Sequence, residues 1–276
     1  MWPALQVGGV VILWERILLA LAVIVSVALA PRWLERIGGI DRRRAWRVIL
    51  VLAVAAFAGG HGHYVLNYAR WFASDSMTVL LPWNGLHAPG AIIGLALASP
   101  VAALWARAHP GRMLDGLVPT IGVGAAIARL GCFLNGCCYG VRCGWAWCVS
   151  YPPSTTVQDL HVALGVVKPG AWSLPVHPIA LYFAGAGILI TATALWLAPR
   201  KRYHGQVALV GLLLFGASSF GIELLRQTTA KRILFGTVPQ LEVIAGALTA
   251  VAAAGLLACE LGHRVLVRVR PRSVLA

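Results

Sequence analysis

The sequence predicts an all-α fold: a polytopic bundle of seven transmembrane helices in one integral membrane domain over residues 1–276. Three observations predict it. Hydrophobic residues make up 59% of the 276-residue chain and charged residues only 12%, against about 25% charged in a soluble domain. Several apolar runs approach the roughly 20 residues a helix needs to cross hydrocarbon. Basic residues gather in alternate connecting segments, the pattern that orients a bundle in a membrane.

The first span is expected over 9–30. Its length, and Glu15-Arg16 interrupting its start, argue against a cleavable signal peptide. The segment that follows carries Arg32, Arg36, Arg42, Arg43, Arg44 and Arg47. A second span over 48–68 ends in HGHY, with His61, His63 and Tyr64 together. The segment 69–88 is irregular and rich in polar and turn residues. It holds Trp71 and Trp83 and closes on NGLHAPG, which contains His87. Spans three and four are expected at 89–106 and 115–135, separated by Arg107 and Arg112. The fourth begins at Asp115 and carries Arg129 near its far end.

A second irregular segment, 136–176, contains Trp145, Trp147 and Trp172. Spans five to seven follow at 177–198, 206–226 and 240–261. Arg200, Lys201 and Arg202 separate the fifth from the sixth, and Arg264, Arg268, Arg270 and Arg272 follow the seventh. No internal repeat of fixed period is present. Glycines within the spans suit close helix approach in a bilayer.

In this arrangement fifteen of the 23 basic residues fall on one side. Basic loops stay cytoplasmic, so the N-terminus is expected outside, the C-terminus cytoplasmic, and segments 69–88 and 136–176 facing outward. The tryptophans of those segments belong at headgroup level. The formal charge of +14 does not indicate nucleic acid. It is dispersed over short loops beside apolar spans, as topology signals and anionic-lipid contacts require, and no separate basic domain is available to grip a duplex.

The stretch ARLGCFLNGCCYG, 128–140, places a fixed charge at membrane depth, which costs a few kcal/mol and usually marks function or a partner. One reading pairs Arg129 with Glu223 of GIELLRQ. The other has its guanidinium bind an anion bidentately, which lysine does poorly. Arg226 lies one helical turn beyond Glu223 on the same face. Two arginines and one glutamate suit a phosphate or phosphodiester. Asn135-Gly136 and Gly140 allow left-handed backbone and close ligand approach.

Cys132, Cys137, Cys138, Cys143 and Cys148 cluster without a CxxC pair, and the adjacent pair suits tetrahedral zinc poorly. Inert burial, a disulfide between Cys143 and Cys148 in an oxidising compartment, and a metal or redox site are all open. His61, His63, His87 and His177 likewise have three readings: structural, a base near neutral pH, or metal ligands. No metal and no cofactor is expected.

With these residues in view, the chain resembles the bacterial prolipoprotein diacylglyceryl transferase family. ARLGCFLNGCCYG is similar to the family's signature around its essential arginine. The likeness continues through Trp145, the YP of 151–152, HPIALY at 177–182, and GIELLRQ followed by Gln240; Asp115 matches a family aspartate. It covers most of the chain from about residue 59.

The resemblance implies a seven-span inner-membrane enzyme. It would move the diacylglyceryl group of phosphatidylglycerol to the lipobox cysteine of a preprolipoprotein signal peptide, releasing glycerol 1-phosphate. It implies catalytic roles for Arg129 and Arg226 on the phosphate; with proline at 89, the base is expected to be His87 or, failing that, His61 or His63. Substrate-binding roles would fall to His61, His63, Tyr64, Asp115, Asn135, Gly136, Gly140, His177, Tyr182, Glu223 and Gln240. Partners would be phosphatidylglycerol, the prolipoprotein and membrane lipid, with no nucleic acid.

The departures lie on the acceptor side. Pro89 stands where many members have histidine or tyrosine, and His61 where the family has arginine. Phe183 replaces a frequent glutamate, and Trp14 or Glu15 an expected tyrosine. A paralogue with another acceptor, or a non-catalytic lipid-binding protein, is the alternative reading.

Overall fold

The computed structural model describes residues 4–7, 10–68, 85–227, 233–234 and 238–269. Trp71, Trp83 and most of the segment 69–88 therefore lie outside the described residues, as do Lys231, Arg232, Arg270 and Arg272. The architecture is helical. Among the described residues, six helices are long and apolar enough to cross a membrane, and a shorter apolar helix, Pro89–Trp105, stands where the third span was expected.

The helices are α1 (Trp14–Arg36), α2 (Arg42–Tyr68), α3 (Ala88–Trp105), α4 (Pro110–Asn135), a short α5 (Thr156–Ala163), α6 (Ile179–Leu197), α7 (Gln206–Leu224) and α8 (Gln240–Val269). Two short antiparallel pairs accompany them: β1 (Ala4–Val7) with β2 (Val10–Leu13), and β3 (Ile233–Leu234) with β4 (Val238–Pro239). The first span is thus displaced from its expected limits. Its leading residues form a strand, and the helix runs on through Pro31 to Arg36. Between 11% and 44% of each long span is buried, and residues such as Ile24, Leu97, Leu104 and Ile188 are exposed. Apolar surface left uncovered on that scale is stable against lipid and not against water.

The chain divides into two compact units, 29–117 and the remainder. In the first, Asp41 starts α2: its Oδ1 accepts from the backbone N–H groups of Arg43 and Arg44, each at 3.1 Å, satisfying donors that a helix start leaves open. Leu34, Ile40, Val48, Ala102, Met113 and Leu117 form its core. Helices α2 and α3 meet at Gly59 and Gly90, where a Cβ on either would run into the other's backbone carbonyl. That is the small-residue contact by which helices approach in lipid.

In the second unit, Val118, Ile190, Ala194 and Val207 make a core shared by α4, α6 and α7. The segment 136–176, expected to be irregular, is an ordered cap carrying α5. Its Tyr139, Tyr151, Val157 and Val176 form a core with Phe133 of α4 and Ala180 of α6. The cap is tied by a disulfide between Cys143 and Cys148 and by bridges from Val176 to Arg142 and Val149. Trp145 and Trp147 stack at 5.2 Å and are exposed.

Candidate functional site

The site is built on the C-terminal end of α4. Gly136 takes φ +67°, a left-handed conformation that glycine adopts without strain. The N–H of Gly136 then donates to the Phe133 carbonyl at 3.2 Å, and the N–H of Cys137 to the Cys132 carbonyl at 3.3 Å. This pair of bonds is the Schellman cap, which satisfies the last carbonyls of a helix and folds the following residue back over it. The chain reverses there, and Cys138, nine residues after Arg129 in sequence, returns to it: Arg129 Nη1 donates to Cys138 Sγ at 3.5 Å. The Arg129 guanidinium also lies 4.4 Å over the ring of Phe183 in α6. A ring face holds a cation by its quadrupole without neutralising it.

Beyond Cys138 the chain threads between the end of α7 and the start of α6. Gly140 donates its N–H to the His177 carbonyl at 2.9 Å and bridges Arg226; Val141 donates to the Leu225 carbonyl at 2.8 Å. A Cβ on Gly140 would lie 2.5 Å from the Leu225 oxygen and 2.9 Å from His177 Cβ. No other residue type fits there without backbone movement. Glu223, 4% exposed, forms an ion pair with Arg226, accepting from its Nε at 3.3 Å.

Cys138 marks the electrostatic character of the place. Its thiol is held well below the ordinary thiol range, first by hydrogen bonds from the Cys132 and Cys137 thiols and then by the charges of Arg129 and Arg226. A guanidinium 3.5 Å from this sulfur makes an environment that stabilises an anion.

Two further contacts complete this unit. Asn135 Nδ2 donates to the Glu15 carboxylate at the start of α1, and His177 Nδ1 lies 3.0 Å from Tyr182 Oη. The site residues that sequence reasoning overlooked are Glu15, Cys138 and the aromatic seat supplied by Phe183. Glu15 and Phe183 had registered only as departures from a pattern. Cys138 had appeared as one of five clustered cysteines, because its approach to Arg129 depends on the reversal at Gly136.

The remaining histidines gather in the other unit. His63 Nδ1 and His87 Nδ1 lie 3.2 Å apart, so one ring donates and the other accepts. Tyr64 meets His87 edge-on at 5.5 Å, and His61 Nδ1 is 3.2 Å from the Gly85 carbonyl oxygen. His87 is the residue before α3, and Pro89 sits in that helix's first turn, where a missing N–H costs nothing. Asp115, near the start of α4, is fully buried. Gln240 begins α8, and its side chain lies outside the described residues.

A family model described as prolipoprotein diacylglyceryl transferase matches residues 3–259 of the chain. Curated proteins named phosphatidylglycerol–prolipoprotein diacylglyceryl transferase are similar to it. One from Dehalococcoides mccartyi (strain BAV1) is 26% identical over 235 residues, covering 81% of each chain. One from Bordetella parapertussis is 26% identical over 229 residues, again 81% of each. One from Synechocystis is 25% identical over 258 residues, 91% of this chain and 86% of the relative.

Proposed function

The chain belongs to the prolipoprotein diacylglyceryl transferase family, and from that premise we propose that it transfers the diacylglyceryl group of phosphatidylglycerol to a prolipoprotein cysteine. It is a multi-pass bacterial membrane protein. The distribution of basic loops and the choice of lipid substrate support a place in the inner membrane, with the 136–176 cap on the outer side.

The reaction forms a carbon–sulfur bond at the terminal glyceryl carbon and breaks that carbon's bond to the phosphodiester oxygen. The thiol proton goes to a base, and glycerol 1-phosphate departs with the electron pair of the broken bond. Charge therefore grows on a phosphate oxygen in the transition state, where fixed cationic donors lower the barrier most. Arg129 and Arg226 fill that role. Phe183 and Glu223 act as positioning residues, holding the two guanidiniums by a ring face and by an ion pair. The observation that carries this reading is the chain reversal at Gly136, which brings Cys138 to Arg129 and Gly140 to its bridge with Arg226. Asn135, Gly136 and Gly140 shape the headgroup pocket. The base is assigned to His87, whose ring shares a hydrogen bond with His63 and so has a route to pass the proton on.

The test is release of glycerol phosphate by the purified protein in detergent, supplied with phosphatidylglycerol and with or without a lipobox peptide. Peptide-dependent release is expected. Arg129→Lys keeps the charge but loses the planar fork, and is expected to reduce turnover by about 10²-fold or more. His87→Ala retaining full activity would remove His87 from the role of base. Release unaffected by Arg129→Lys would overturn the phosphate assignment.

A further inference from the structure

One group of side chains is left over by the transfer reaction. The sulfur atoms of Cys132, Cys137 and Cys138 lie within 4.8 Å of one another, all partly buried. None is tied into the disulfide of the same cap, which joins Cys143 to Cys148. The Schellman turn accounts for Cys137 over Cys132, since that motif brings the residue after the left-handed glycine back onto the last helical turn. It does not account for Cys138, whose sulfur lies 3.9 Å from that of Cys137 and faces the Arg129 guanidinium.

A metal–sulfur bond of about 2.3 Å places the sulfurs of a three-coordinate thiolate site about 4.0 Å apart and those of a tetrahedral one about 3.8 Å apart. The Cys137–Cys138 separation of 3.9 Å already lies in that interval. Closing the 4.8 Å limit of the group takes less than an ångström of side-chain rotation. A vicinal pair on one strand of chain suits a closed tetrahedron poorly but leaves a trigonal arrangement open. Soft thiolates with three ligands select a soft, closed-shell cation.

We propose that Cys132, Cys137 and Cys138 form a trigonal thiolate site for a thiophilic closed-shell ion, Cu(I), beside the Arg129 guanidinium. Binding releases the protons still held by the three thiols and forms three copper–sulfur bonds, with no change of oxidation state. Three thiolates and one monovalent cation carry a net double negative charge. Arg129, whose Nη1 lies 3.5 Å from Cys138 Sγ, and Arg226, bridged to Gly140 two residues further on, are its counter-ions. Copper loading therefore draws on the same two cations that the phospholipid phosphate needs, and it opposes phosphatidylglycerol binding. That consequence rests on the function proposed above; the metal stoichiometry does not.

The test uses the full chain in detergent under inert gas, with the Cys143–Cys148 disulfide kept intact and the other thiols unoxidised, titrated with Cu(I) against a chromophoric Cu(I) chelator. One equivalent should pass from chelator to protein. Cys132→Ser, Cys137→Ser and Cys138→Ser should each weaken uptake by more than the roughly 10–100-fold that loss of a supporting outer group costs. Cys259→Ser, which removes the exposed thiol of α8, should leave it unchanged. X-ray absorption of the copper-loaded wild-type protein should show three sulfur neighbours at about 2.3 Å, a readout that needs no variant to fold. No uptake by the wild type, uptake unchanged in any of the three serine variants, or a first shell of nitrogen and oxygen would overturn the site. Uptake as expected, with glycerol phosphate release indifferent to copper, would leave the site standing and count against the shared-arginine consequence alone.

Discussion

Arg129 shows how much a single charge depends on its seat. A guanidinium near the end of an apolar helix needs neighbours that hold it without neutralising it, and the structure supplies a ring face from Phe183 and the sulfur of Cys138. A carboxylate at position 183 would form an ion pair there; phenylalanine leaves the positive charge available to a ligand. His161 of α5 is a residue of another kind. It is 3% exposed, and its Nδ1 accepts from the Leu174 N–H at 3.3 Å. Burial, with Arg142 nearby, pushes its pKa below the ordinary 6.5. The unfolded chain therefore binds this proton more readily than the folded one. Stability is full above about pH 6.5 and falls as pH drops below it, because protonation breaks the Leu174 bond. The thermal unfolding midpoint in detergent should decline over that window. His161→Asn, which keeps an acceptor that does not titrate, should flatten this part of the decline.

At the scale of elements, the end of α4 decides whether the site exists. Gly136 needs φ +67°, and a Cβ there would also meet Thr155 Cβ at 3.1 Å and Tyr151 Cδ1 at 3.2 Å. Gly136→Ala should therefore cost about 1–2 kcal/mol for the left-handed backbone alone, measured by denaturation in detergent. Gly140→Ala acts differently. Its Cβ would reach within 2.5 Å of the Leu225 carbonyl oxygen, displacing the strand-like contact with Arg226. Catalytic turnover should fall at least tenfold while the helices remain folded, since a misplacement of about 1 Å can cost 10²-fold in rate. Circular dichroism and glycerol phosphate release on one preparation separate the two effects. A release rate equal to wild type would show that Arg226 does not depend on this contact.

For the whole molecule, charge sets orientation. The loops of Arg32 to Arg47, Arg107 to Arg112 and Arg200 to Arg202, with the basic tail, hold most of the positive charge. The disulfide between Cys143 and Cys148 belongs to the cap that the same rule places outside. Alkaline phosphatase, which is active only after export, should be active when fused at Gly144 and inactive when fused after Arg202. The reverse pattern would turn the bundle over and put the cap in the cytoplasm.

Much of this protein was legible in one dimension. Membrane class, the helices' approximate positions and the charge asymmetry follow from composition and periodicity, because lipid demands long apolar helices whatever they pack against. Arg129, Arg226, Asn135 and Gly140 stood out because charge, amide and bare backbone are costly at the end of a span. The tertiary structure decided what those residues touch. The partner Glu223 takes, the ring under Arg129, the Glu15 carboxylate on Asn135 and the return of Cys138 all join residues distant in sequence or separated by a chain reversal. It also revealed α5 and the core that joins the segment 136–176 to α4 and α6, whose buried residues are spaced too irregularly to show a period. Periodicity reports which face of an element is apolar, whereas contact between elements depends on where each turn sends the chain.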